Sequence, residues 1–178
     1  MPGLIASLVS EKDYLANPDY KHCEYFDGEV VELNLGSKPH SRIQVRCASY
    51  LMNYCDRHGG AVYAEQHCRL QVGDRLRYML PDVGVVLNDA TPDALYLDRA
   101  PDLVVEIRSP EDSIVMIHRK MATYFENGAQ LGWIVLPEEK SVLVLTPTAP
   151  VQTKICGESL DGGAVLPGFE LAVDELFR

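Results

Sequence analysis

Two acidic residues stand on otherwise apolar, strand-like stretches. Asp82 opens DVGVVL directly after Pro81, and Glu106 lies near the end of DLVVEI. A carboxylate buried without a partner is costly, so such placements call for a reason. If the two strands pair, the two acids converge. At about 4 Å they repel by about 4 kcal/mol at an effective dielectric of 20. A shared proton, a basic neighbour or a divalent cation relieves that repulsion. Mg²⁺ accepts carboxylate oxygens completed by water. Arg108 has the parity of Glu106 and is expected on the same face, with the carbonyl of Ile107 between them as a further oxygen ligand. The same residues also have structural readings: Asp82 as a turn cap, and Glu106 as half of an ion pair with Arg108 or Lys120.

The elements that must hold these groups can be read from period and punctuation. EYFDGEVVELNL places Asp27-Gly28 between two β-prone runs, a two-residue hairpin signal. Ser37 and Pro39 open a helix that Gly59-Gly60 close, with Ile43, Cys47, Tyr50, Leu51 and Tyr54 on its core face. In AVYAEQHCRLQV, Val62, Ala64, Cys68, Leu70 and Val72 share parity, which predicts a strand interrupted at Gln66. LRYML leads to a further strand, PDVGVVL. The near-continuous apolar run in DLVVEI predicts a strand covered on both faces. After Ser109-Pro110 the period becomes helical through Ile114, Ile117, Met121, Tyr124 and Phe125, and Asn127-Gly128 end it. LGWIVL and SVLVLT follow as strands joined at Pro137–Lys140, then weaker strands near Val151–Cys156 and a docked tail containing Leu171, Leu176 and Phe177. The expected fold is one α/β domain over residues 1–178: a central mixed sheet flanked by helices, an N-terminal hairpin, a strand–helix–strand crossover from Asp102 to Leu136, and additional C-terminal strands.

The bulk properties fit this. The chain has 178 residues, 47% hydrophobic and 24% charged, an ordinary globular composition. Its net charge of −10 repels nucleic acid and lipid phosphate as a whole, so either partner needs a local basic patch or a bound metal. Five cysteines with no CxxC pair read as reduced thiols in a cytoplasmic protein. No apolar run has the length of a membrane span, and MPGLIASLVSEKDYLA lacks the basic start of a signal peptide. Neither GxGxxG nor GxxxxGK[ST] occurs.

Pro81-Asp82 followed by Glu106-Ile107-Arg108-Ser109-Pro110 resembles the PD-(D/E)xK nuclease signature. With YFDGEVVEL, the Pro39-His40 pair, PDVGVV, PDLVVEIRSPED, RKMATYFENGAQLGWIV and LPGFEL, the chain is similar to the Uma family of restriction-endonuclease-like proteins, from about Tyr25 to Phe177. The resemblance implies a restriction-endonuclease-like core, with Mg²⁺ (or Mn²⁺ in its place) bound by Asp82 and Glu106. Glu29, in the hairpin DGE, matches an acid common in the Uma pattern. Arg108 stands where the superfamily has its lysine; being permanently protonated it can neutralise phosphate but not act as a base. Lys120 matches a lysine that the Uma pattern carries on the following helix. Arg108, His118, Arg119 and Lys120 are then expected to form a local positive surface. The implied activity is metal-dependent hydrolysis of DNA phosphodiesters by a homodimer. Two other readings stay open: a catalytically silent nucleic-acid- or protein-binding module on the same fold, and a metal-free hydrolase such as a glycosidase using Asp82 and Glu106 as an acid–base pair.

Overall fold

The computed structural model describes residues 8–33 and 36–178; the first seven residues of the lead-in stretch lie outside them. A short helix α1 (Glu11–Ala16), capped by Ser10, and a 3-10 turn (Pro18–Tyr20) lead to the hairpin β1 (Cys23–Phe26) and β2 (Glu29–Glu32). Its turn is the expected Asp27-Gly28, both residues having positive φ (52° and 99°), the left-handed pairing that a two-residue hairpin requires.

Helix α2 (Lys38–His58) starts at Ser37, whose side chain accepts from the His40 N–H, and stops at Gly59. Ile43, Cys47, Leu51 and Tyr54 are buried along it, and Tyr50 packs against the same cluster. Then come β3 (Ala61–Ala64), β4 (Cys68–Val72), β5 (Arg75–Met79) and β6 (Val83–Val86). The crossover is as expected: β7 (Leu103–Ile107), α3 (Ile114–Glu126) and β8 (Leu131–Leu136), with β7 and β8 parallel. β9 (Ser141–Leu145), β10 (Gln152–Ile155), the hairpin β11 (Ser159–Gly162) and β12 (Leu166–Ala172), and α4 (Val173–Leu176) complete the chain.

The strands form a six-stranded mixed sheet in the order β10-β9-β8-β7-β6-β3, an antiparallel four-stranded sheet β2-β1-β5-β4, and the pair β11-β12. One expectation is corrected here. Residues 61–72 do not make one interrupted strand. β3 joins the large sheet and β4 the small one. The break is at Glu65, whose φ of 51° turns the chain, and Gln66 is tied to the Leu95 carbonyl. The residues that share parity in sequence do not share a face: Val62 packs against the α2-side core, Ala64 is exposed, and Cys68 and Leu70 lie in the α3-side core. The N-terminal hairpin likewise belongs to a second sheet.

The large sheet is covered on both faces, and β7 is wholly buried near its middle. Leu103, Val105 and Ile107 face a core built with α2, the β11–β12 hairpin and α4. Val104 faces the other core, with Ile117, Met121 and Tyr124 of α3 and with Cys68, Leu70 and Met79 of the small sheet. Gly84 of β6 lets Pro101 lie flat against the strand: a Cβ there would meet the proline Cγ at 2.6 Å. Each fully buried aliphatic or aromatic side chain contributes about 1.5–3 kcal/mol, a reserve large enough to tolerate a few buried charges. All five cysteines are free. Among the described residues no helix is long and apolar enough to cross a membrane.

Candidate active site

The C-terminal end of β7 presents Glu106 to the α3 side, with only 6% of its surface exposed. Two residues one helical turn apart on the inner face of α3 meet it. Lys120 Nζ donates to Glu106 Oε2 at 2.8 Å, and the Tyr124 hydroxyl donates to Oε1 at 2.9 Å. The same ammonium contacts Glu24 Oε1 at 2.8 Å. Glu24 is a β1 residue, 2% exposed, and its Oε1 also accepts from the Leu80 N–H at 3.0 Å. Lys120 therefore joins the two sheets through a carboxylate on each.

Asp82 lies just before β6. The β6–β7 register pairs Val83 with Val105, and one step further brings Asp82 opposite Glu106. Its Oδ2 accepts from the Ile107 N–H at 2.6 Å, and its Oδ1 lies 3.3 Å from His40 Nε2 at the start of α2. Glu24, His40, Asp82, Glu106, Ile107 and Lys120 all line one cavity of about 680 Å³.

The electrostatics show a deficit of positive charge. Burial above all, with the charges of Asp82 and Glu24 added and Lys120 opposing, pushes the Glu106 carboxyl up to about 8. Burial alone would lower the Lys120 ammonium, but Glu106 and Glu24 outweigh it and hold Lys120 above its ordinary value. Burial, followed by the charges of Glu106 and Glu24, keeps Tyr124 well above the usual phenol range, so it is a pure donor. The hydrogen bond to Asp82 raises His40 against the opposing effect of burial.

Four of the residues singled out in sequence meet here: Asp82, Glu106, Ile107 and Lys120. Ile107 contributes its N–H to Asp82. Two others lie elsewhere. Glu29 is exposed on β2 and lines a different cavity, of about 830 Å³, with Asp27, Arg75, Arg77 and Arg119. The hairpin does supply an acid to the site, but from its first arm: Glu24, whose side chain turns inward. Arg108 does not line the site cavity. Beyond the end of β7 its guanidinium reaches Glu139 in the β8–β9 turn, at 3.4 Å. The expected positive surface therefore does not form, since His118 and Arg119 are exposed while the Lys120 side chain points inward, only 12% exposed.

Glu24, Tyr124 and His40 were not picked out from sequence. The available signal for Glu24 was an acid within the apolar arm CEYF. Tyr124 is visible in sequence only as an apolar-stripe residue, and His40 only as part of the Pro39-His40 pair of the family resemblance.

An oxygen-rich donor set with too little positive charge suits a hard divalent cation. Among the described residues, no three His, Cys, Asp or Glu side chains converge closely enough to hold an ion as they stand. The Lys120 ammonium lies between Glu24 and Glu106. Mg²⁺, however, is commonly held by only one or two carboxylates with water and substrate phosphate completing the shell, and Asp82 and Glu106 both line the cavity.

Comparison with known proteins gives three findings. The profile of the Uma2 family, described as "Putative restriction endonuclease", matches residues 11–174. An uncharacterised protein of Synechocystis sp. is 32% identical over 107 residues, covering 60% of this chain and 55% of that relative, so the match spans about half of the relative's length. A crystal structure from Anabaena variabilis, described as a putative nuclease belonging to DUF820, superposes with a TM-score of 0.82 at 22% identity, over 93% of this chain and 96% of that one. The fold is thus restriction-endonuclease-like, as the sequence resemblance implied.

Proposed function

From the premise that this chain belongs to the Uma2 family of restriction-endonuclease-like proteins, we propose that it is a divalent-metal-dependent endonuclease hydrolysing DNA phosphodiesters. One observation carries the reading: a buried lysine held between acids from two sheets, beside a third acid, with the sum of carboxylates exceeding the cations that face them. Asp82 and Glu106, with the carbonyl of Ile107, are the groups that would hold Mg²⁺ or Mn²⁺. When bound, such an ion supplies positive charge to a phosphoryl oxygen and acidifies water.

The chain's own residues do the rest. Lys120 brings a fixed ammonium to the cavity wall, where it can stabilise the negative charge that builds up on phosphorus-bound oxygens. Being held protonated by its two carboxylates, it serves as a charge and not as a base. Tyr124 and the Ile107 N–H hold Glu106 and Asp82 in place, so little reorganisation is needed when charge develops. Arg108 is drawn to Glu139 and Lys120 lines the cavity, so in this reading the lysine on the helix takes over the task of the usual strand lysine. Cutting both strands of a duplex takes two such sites, and a homodimer is the assembly this reading expects.

The test is a cleavage assay on supercoiled and linear DNA with Mg²⁺, Mn²⁺ or EDTA, using the wild-type protein, Asp82→Ala and Glu106→Ala. The expected result is metal-dependent nicking lost in both variants. Cleavage retained in both would remove the proposed site, and DNA binding without cleavage by the wild type would favour the silent module.

A further inference from the structure

Resting on that metal-site reading, we propose that His40 is a positioning residue: its imidazole Nε2 fixes the plane of the Asp82 carboxylate and so sets the affinity of the site for a divalent cation. A free carboxylate turns about its last torsion, and its lone pairs sweep with it. Asp82 is met at both oxygens by groups from different elements: the Ile107 N–H of β7 donates to Oδ2, and His40 Nε2 of α2 lies 3.3 Å from Oδ1. Each oxygen accepts twice, so one lone pair on each stays free for a ligand in the cavity.

The imidazole is itself held in place. The Ser37 cap accepts from the His40 N–H at 3.3 Å, which anchors its backbone. The ring is buried, 8% exposed. It also fills the space beside Gly36, where a Cβ would come within 2.9 Å of His40 Nδ1. Gly36 has no positive φ, so alanine is acceptable to the backbone there and only the ring must move. Sequence position, cap, glycine and cavity thus agree on one placement of one nitrogen.

Mn²⁺ binding to the whole protein tests this, by calorimetry and by electron paramagnetic resonance, with circular dichroism melts alongside. Outer-shell partners of metal-ligating groups typically contribute about 10–100-fold in affinity. His40→Ala and His40→Asn are expected to lose that factor. His40→Gln, whose amide nitrogen reaches the Nε2 position, is expected to retain most of it. Gly36→Ala, which displaces the ring without removing it, is expected to fall between wild type and His40→Ala. If His40→Ala binds Mn²⁺ as wild type does while Asp82→Ala does not, the positioning role is overturned and the site reading stands. If Gln and Asn weaken binding equally and in proportion to their loss of melting temperature, His40 is merely structural and the proposal fails. If wild type shows no Mn²⁺ binding that Asp82→Ala abolishes, both the proposal and the reading beneath it fail.

Discussion

Strand β1 feeds two buried polar clusters of opposite character. Cys23 and Tyr25 point to one side, where Tyr14, Tyr25 and Tyr78 pack with ring centroids 4.9–6.2 Å apart and Tyr96 stands edge-on to Tyr78. Glu24 points to the other, towards Lys120 and Glu106. In the tyrosine cluster the demands are met locally by neutral groups or at the rim. Tyr14 donates to the Cys23 carbonyl at 2.7 Å and meets His67 at 3.1 Å, Tyr25 donates to the Val9 carbonyl, and Tyr78 donates outward to Glu11. Burial lowers His67, disfavouring the charged form of the ring. In the acid–lysine cluster three carboxylates face one buried ammonium and one histidine. The first arrangement is complete in itself and holds the small sheet together. The second crowds three acids around one lysine and one histidine, and the crowding is visible in the raised Glu106 carboxyl.

That contrast can be broken from either side. The largest effect is expected on chemistry. On the proposed reading, Asp82→Ala and Glu106→Ala would each remove a metal contact worth several kcal/mol in the transition state, so cleavage should fall about 10³-fold, measured as turnover on a labelled duplex. Lys120→Met comes next. It leaves Glu24 and Glu106 buried without their cation, which costs about 3–5 kcal/mol. Urea unfolding should show that loss without metal, and saturating Mn²⁺ should return part of it.

Glu106→Gln sharpens the electrostatic side. Because the folded carboxyl titrates near 8 against an ordinary 4.5, its favourable contribution is full below about pH 4.5 and fades as pH rises towards 8. The variant should show a flatter stability–pH profile over that interval, and greater metal-free stability than wild type at its upper end. Tyr14→Phe, in the neutral cluster, should cost only about 1 kcal/mol, since the Cys23 carbonyl keeps His67 within 3.2 Å, and cleavage should be unchanged. Glu29→Ala is expected to shift stability by less than about 0.5 kcal/mol, as for an ordinary surface site, and to leave cleavage intact.

Much of this was legible in the sequence, for identifiable reasons. The Asp27-Gly28 turn, the Ser37 and Gly59 helix bounds and the β7–α3–β8 crossover each rest on short-range chemistry, which one chain segment carries within itself. Asp82, Glu106 and Lys120 stood out as charges in or beside apolar runs, and the family resemblance ordered them. What sequence could not give was direction. Glu29 and Glu24 sit on the two arms of one hairpin, and only the packing of that hairpin as part of a second sheet decides which acid turns inward. Parity put Arg108 beside Glu106, but parity holds only while the strand lasts, and β7 ends at Ile107. Tyr124 looked like core and is core; that its hydroxyl finds a carboxylate is a fact about α3 lying over β7. His40 reaches Asp82 across a tertiary contact that no spacing announces.

The lysine that spans the two sheets also sets a limit on how far this protein can be improved as a folded object. Apolar side chains of matching size in place of Glu24, Glu106 and Lys120 would remove three desolvation penalties, and replacements of that kind are often neutral or stabilising by about 1–4 kcal/mol. A screen that rewarded heat resistance alone would therefore drift towards a greasy seam between the sheets, sturdier and inert. On the proposed reading, keeping the ammonium and its acids is a standing concession of robustness to reactivity, and it marks this seam as the first place to look when a hardened variant has gone silent.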